Sequence, residues 1–425
     1  MNDTHATDSP VASPGMGQPP HWGPIQGKLA LVALVGIGIF VAGAILRGIV
    51  DGKSDIEELF AAYLVGFIFW LSLPLGSLAL LCVQYLAGGR WGILLRRILE
   101  ANTRTLPLMA VLFIPIGINY FMKDSSIYWW ANTLPTESSG LPSQAVEELN
   151  HKASDYLNPS FGIVRAVLLF AIWGTLIWVF NRWAQRLEET GSLTYREKLK
   201  NFAGPAAMLF GIFTMFAATD WVMSLEEAWS STMFPVIFVV NALLTTFAFC
   251  IVVFLTLARG NHFPVKHTKQ DQLNLGSFML AFTIFWSYIA FSQFLLVWSG
   301  NLPEEIAYYL KRSREGWQVM VTALALFHFA CPFLLLLFRG IKESIPRLRA
   351  VAIGIMIICA VDVFWWIGPS RSHDGQVMFW LLYIGSLIGI GGIWGWMFIR
   401  ELSRKTLLPT HEAKWLEEDH HHGHE

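Results

Sequence analysis

The chain has 425 residues, of which 54% are hydrophobic and only 14% charged, with a formal net charge of −1. Soluble domains carry about 25% charged residues, so this composition excludes an ordinary soluble protein. The neutral balance excludes a partner held by general charge, nucleic acid above all.

Residues 1–27 are polar, rich in Pro, Gly, Ser and Thr, and free of Lys and Arg. This is not the basic opening of a secretory signal; it reads as a disordered tail. A spanning helix needs about 20 apolar residues. Ten segments qualify: 29–50, 59–86, 93–121, 160–183, 202–222, 232–258, 273–297, 316–338, 349–368 and 376–399. Pro74, Pro107, Pro115, Pro235 and Pro332 fall inside them, which neighbouring helices can tolerate by satisfying the freed carbonyls. The expected fold class is an all-α integral membrane protein. Its expected domains are the tail at 1–27, a membrane domain at 28–400, and a cytoplasmic acidic and His-rich tail at 401–425.

Most Lys and Arg residues fall at the termini and in the even-numbered loops, which places both termini in the cytoplasm. The longest loop, 122–159, is then outside. It holds Trp129 and Trp130, read as interfacial anchors or as a docking surface, and a helical-looking SQAVEELNHKAS. The terminal EEDHHHGHE reads as a solvated tail rather than a catalytic metal site. The cysteines, Cys82, Cys250, Cys331 and Cys359, lie in apolar runs with no C-x-x-C pair, and read as small buried hydrophobes.

Polar residues inside spans are costly, so they are functional candidates. Asp220 ends the fifth span and Gln293 lies in the outer third of the seventh. Arg165 and Asp362 lie roughly 9 Å from the outer ends of the fourth and ninth, and His328 roughly 18 Å into the eighth. Glu226, Glu227, Glu304 and Glu305 mark the outer rim. The candidates therefore collect on one side of the membrane. An outward-opening polar cavity of this kind suits a quinone headgroup, or the outer half of a proton pathway. The structural alternatives are an ion pair of Arg165 with Asp362 or Asp220, a satisfied core histidine at 328, and helix capping by Glu304 and Glu305, with Asn301 as the N-cap. Only His328 is deep among the histidines, so an integral bis-histidine haem is not expected. There is no C-x-x-C-H for covalent haem and no P-loop.

Several stretches resemble a known family: GPAAMLFGIFTMFAATDWVMSLEEAWSSTMF (204–234), LAFTIFWSYIAFSQFLLVWSGNLPEEIAYYLKR (280–312), LFHFACPFLLLLFR (326–339) and AVDVFWWIGP (360–369). They look like the membrane subunits of alternative complex III, within the wider NrfD / polysulfide reductase family of membrane proteins. The resemblance covers about 28–400, and the block around WSGNLPEE is its most specific part. It implies two four-helix bundles, spans two to five and six to nine, with spans one and ten flanking. It also implies a bacterial quinol:electron acceptor (cytochrome c) oxidoreductase, in which this chain holds no redox centre of its own. Iron–sulfur clusters and haem c would sit on partner subunits, beside a homologous NrfD-like subunit and a terminal oxidase. Menaquinone or ubiquinone would be the quinone. Asp220, Gln293, Glu304, Glu305, His328 and Asp362 would then line a pathway or pocket. Asn241, Thr245, Thr246, Thr283, Ser287 and Tyr288 read as the few carriers of the inner half. The alternatives are a purely structural scaffold of the same complex, or a secondary transporter.

Overall fold

The computed structural model describes residues 20–51, 56–123, 125–132, 134, 143–227, 229–260, 262–263, 268–314, 316–371 and 377–408, with the backbone alone for a few helical positions including Glu304. Ten helices among them are long and apolar enough to cross a membrane. They are α1 (Trp22–Ile49), α2 (Ile56–Ala87), α3 (Arg90–Asn119), α4 (Pro159–Thr190), α5 (Leu193–Leu225), α6 (Phe234–Arg259), α7 (Lys269–Gly300), α8 (Trp317–Leu337), α9 (Ile345–Ser370) and α10 (Trp380–Ser403). No strand occurs among the described residues. The protein is an all-α, multi-pass membrane protein. The first helix begins at Trp22, inside the stretch expected to be a tail, because Pro24 is tolerated in a first turn that needs no amide donor. The acidic and His-rich tail beyond 408 lies outside the described residues.

Helices α2–α5 pack as one group and α6–α9 as a second, joined where α2 lies against α6. That joint is tight. A Cβ on Gly76 would stand 2.4 Å from the Ala242 carbonyl oxygen, and the Thr246 hydroxyl donates to the Ser72 carbonyl at 3.1 Å. Helix α2 is buried almost throughout, with α3, α5, α6, α9 and α10 around it. Helix α1 touches chiefly α10, through small residues. A Cβ on Gly36 would lie 2.2 Å from the Gly389 nitrogen, and one on Gly392 2.3 Å from the Ala33 nitrogen. In lipid no hydrophobic force draws helices together, so close backbone contact of this kind is what holds such a pair.

Prolines shape the remaining elements. Pro107 and Pro115 divide α3 into three helical segments. The first, Arg90–Thr103, is pinned to the ends of other helices. Arg90 bonds Asp271 in the first turn of α7 at 2.7 Å, Arg97 pairs with Glu188 near the end of α4, and Glu100 faces Lys405 just past α10. It therefore runs across one face of the bundle, hereafter the basic face. The opposite face, carrying the 122–159 connection, is called the rim face. Pro332 lies four residues after His328 and has no amide to offer its carbonyl. Residues Leu324–Ala330 accordingly form a π-helical turn inside α8.

Two local expectations are corrected. Trp129 and Trp130 are neither membrane anchors nor a docking surface, since both are buried. Trp130 packs on Tyr120 and Tyr128 and donates to the Ser224 hydroxyl at 3.3 Å, so these rings close the rim end of the first bundle. Cys331 is exposed on α8, while Cys82, Cys250 and Cys359 are buried as expected.

Candidate functional site

The polar candidates do not share one cavity. They separate into three packed clusters, and the residue pairing decides which.

In the first bundle, Arg165 on α4 bonds Asp220 on α5 at 2.6 Å, and donates to the Tyr156 carbonyl at 2.7 Å. The Tyr156 ring covers the guanidinium at 4.0 Å and the Phe161 ring at 4.6 Å. This settles the partner of Arg165 as Asp220, not Asp362. Both side chains are buried, so each charge is neutralised by the other with a stacked cation added. Burial, with the Asp220 charge second, raises the Tyr156 hydroxyl above the usual phenol range.

In the second bundle, four helices bring five groups together in the core, two of them from α9. Asn241 on α6 donates to Asp362 Oδ2 at 2.7 Å, and Trp286 Nε1 on α7 donates to the same oxygen at 2.9 Å. His328 on α8 places Nδ1 3.8 Å from that oxygen, and its ring stacks on the Trp286 indole at 3.6 Å between centroids. The other ring nitrogen, Nε2, lies 3.4 Å from the Cys359 sulfur, one turn along α9. His328 is 0% and Asp362 2% exposed, so neither charge could be screened by water. Among the described residues no Lys or Arg pairs with Asp362. Nε2 shares a hydrogen bond with the Cys359 thiol, while Nδ1 is the ring nitrogen on the side of the carboxylate. The π-helical turn matters here, because it sets the direction in which His328 leaves α8.

The third cluster lies at the rim. Glu226, just past α5, bonds Arg312 at 3.0 Å and the Ser370 hydroxyl at 2.7 Å, with Lys311 at 3.5 Å. Burial alone would raise the Glu226 carboxyl, but Arg312 and then Lys311 outweigh it and hold the carboxyl below its ordinary range. Arg312 is itself buried, donates to the Trp366 carbonyl at 3.0 Å, and stands 3.5 Å from the Tyr308 ring centre. This clamp ties the α5–α6 connection to the end of α9 and to the short helix Pro303–Lys311.

The remaining expected residues stand apart. Gln293 is buried on α7 and donates to the Tyr309 hydroxyl at 3.2 Å, with no bond to Asp362. The Glu304 side chain lies outside the described residues, and Glu305 is half-buried in the first turn of Pro303–Lys311. A carboxylate is favourable at a helix N-terminus, which is a sufficient structural role for Glu305. Asn301 does not cap that helix. It ends α7 in the left-handed conformation at φ 49°, and Leu302 takes the N-cap position without a side-chain bond. Asparagine tolerates that region better than other non-glycine residues, which explains its place in WSGN. Glu227 is exposed.

Sequence reasoning missed Trp286, Cys359 and Arg312, and misplaced Asn241 in the inner half. Asn241 could have been found by depth: α6 starts at Phe234 on the rim face, so Asn241 lies roughly 10 Å in, level with Asp362. Trp286, Cys359 and Arg312 carried no usable signal, since indoles, thiols and loop arginines are common in such chains. No known protein-family model matches the chain, and no curated protein matches it.

Proposed function

We propose that this chain is a membrane subunit of a bacterial respiratory quinol:electron acceptor oxidoreductase of the alternative complex III type, and that its part is to move protons. The observation that carries this reading is the Asp362–His328 cluster. It comprises a carboxylate and an imidazole, buried together without a permanent cation, joined to an amide, an indole and a thiol from four helices. Such a cluster can hold a proton on either of two groups, which a fixed ion pair cannot. Intramembrane ionisable residues are functional candidates by default, and proton relays are among their roles. The Arg165–Asp220 pair and the Glu226–Arg312 clamp are neutralised by permanent cations, and serve instead to position helices.

The sequence blocks that resemble the NrfD family supply a bacterial cytoplasmic membrane and partners that carry iron–sulfur clusters and haem c, and the Lys and Arg distribution supports both termini in the cytoplasm with the rim face outward. Menaquinone or ubiquinone would be oxidised by the complex. Near α9 the chain offers an apolar cleft of about 870 Å³ among α2, α6, α8, α9 and α10, lined by residues such as Val65, Met320, Ile357 and Ile384. Among the described residues its exposed walls are almost wholly apolar, which suits an isoprenoid tail rather than a headgroup.

The test is the purified complex reconstituted in liposomes, with Asp362→Asn compared with Asp220→Asn. Asp362→Asn should leave assembly and bound cytochromes in place and lower proton movement per quinol oxidised. If proton yield and turnover are unchanged in Asp362→Asn and in His328→Gln, the relay reading fails and the scaffold reading takes its place. A chain that purifies alone, without cytochromes, would overturn the assignment to a respiratory complex.

A further inference from the structure

A groove of about 690 Å³ opens on the side of the protein between α3, α4 and the end of α10. Its two ends differ in chemistry. At the basic face it is bounded by Arg104, Asn181, Arg404 and the Glu401 carboxylate that pairs with Arg404. Along α4 toward the bundle centre the walls turn apolar, from Trp178 to Phe170, with Asn181 to Phe170 spanning roughly 16 Å at 1.5 Å per residue. Trp178 is 64% exposed, so the groove faces lipid rather than the protein interior. Gly174 lies midway, and a Cβ built there would meet nothing within 4 Å, so the space above it is open.

The polar end carries an excess of positive charge. Among the described residues, Arg96, Arg97, Arg104, Arg404 and Lys405 pair there with Glu100, Glu188 and Glu401. Arg404 is half exposed and bonds Glu401 at 2.6 Å, and Arg104 donates to Asn181 at 2.8 Å, so each guanidinium is held in place at the mouth. A cationic mouth at the interface and an apolar trough running inward match one kind of occupant. We infer that this groove binds an anionic phospholipid, with its phosphate against Arg104 and Arg404 and an acyl chain lying over Gly174 toward Phe170. Phosphate is the recognised group, and the lipid is its source: an inorganic anion would leave the trough unfilled. Basic pockets between membrane helices are known to take such headgroups. The inference does not depend on the respiratory reading.

The experiment uses the full-length protein in neutral detergent, delipidated and then offered phosphatidylglycerol or phosphatidylcholine carrying brominated chains. The readout is quenching of the Trp178 emission, taken as the difference between the protein and its Trp178→Phe variant. Native mass spectrometry counts the retained lipids. Phosphatidylglycerol should bind roughly five-fold or more tighter than phosphatidylcholine, from about one cationic contact's worth of attraction. Arg404→Gln should remove most of that preference while leaving phosphatidylcholine binding unchanged. Gly174→Leu should weaken both lipids, because it fills the trough without touching the mouth. Equal affinity for the two lipids, or no effect of Gly174→Leu on Trp178 quenching, overturns the inference. Displacement by excess inorganic phosphate with no acyl-chain dependence would make it a simple anion site instead. Lipid binding seen only after deletion of 409–425 would assign the groove to the chain's own acidic tail, and equally overturn it.

Discussion

The rim clamp offers the most quantitative test of the packing. Replacing Arg312 with Met keeps the volume of the stem but removes the guanidinium. That strips Glu226 of its bond at 3.0 Å, and removes the donors now used by the Ser370 hydroxyl at 3.0 Å and the Trp366 carbonyl at 3.0 Å. Breaking a buried ion pair by removing one partner costs about 3–5 kcal/mol. The lower end applies here, about 3 kcal/mol, because Glu226 retains Ser370 and has Lys311 at 3.5 Å. Glu226→Gln alone should cost about 1–3 kcal/mol, since the amide oxygen can still accept from Arg312. The double variant should then be more stable than the sum of the singles by about 1–2 kcal/mol, the coupling expected of residues in direct contact. The assay is unfolding of the detergent-solubilised protein by titrated SDS, followed by tryptophan fluorescence, for the four members of the cycle. Strict additivity, or an Arg312→Met variant as stable as the parent, would refute the claim that this clamp holds the α5–α6 connection to α9. The pH dependence has a definite sign. The Glu226 carboxyl is held below its ordinary range, so its stabilisation is complete above the unfolded value of about 4.3 and is lost as pH falls further, through the folded value. The advantage of the parent over Glu226→Gln should therefore shrink on acidification below about pH 4 and stay constant above about pH 6.

Other outcomes follow from single contacts. Gly36→Leu should detach α1 from α10, since a Cβ there already lies 2.2 Å from the Gly389 nitrogen; limited proteolysis of the α1–α2 connection, with the rest of the fold protected, is the readout. Cys359→Ser should preserve the proton yield of the reconstituted complex and Cys359→Val should lower it, because only serine keeps a hydrogen-bonding group at His328 Nε2. Trp286→Phe keeps a ring against His328 but removes the indole donor to Asp362 Oδ2, at a cost of about 1–3 kcal/mol in the SDS assay. Pro332→Ala restores an amide one turn after His328, and should allow the π-helical turn to relax; if the turn positions His328, the proton yield falls although no residue of the cluster has changed.

The class of fold and the location of nearly every spanning helix were legible along the chain alone. The reason is that a membrane imposes its own rule: each crossing must be a long apolar segment that satisfies its own backbone. Also legible were the expensive residues, since Arg165, Asp220, His328 and Asp362 stand out against apolar surroundings. Their pairing was not. Arg165 was within reach of either aspartate by depth alone, and only the packing of α4 on α5 gives it to Asp220. Likewise Asn241 and Trp286 meet Asp362 because α6, α7 and α9 converge there, with contacts far apart in the chain. Asn301 shows the same limit at a helix end. Its type suits a helix start as well as a left-handed stop, and the direction of the chain after α7 chose the stop. Apolar periodicity is a local property and can be read along the chain. Which polar group meets which is fixed by helix rotation and contact across the bundle, and that is decided only when the helices pack.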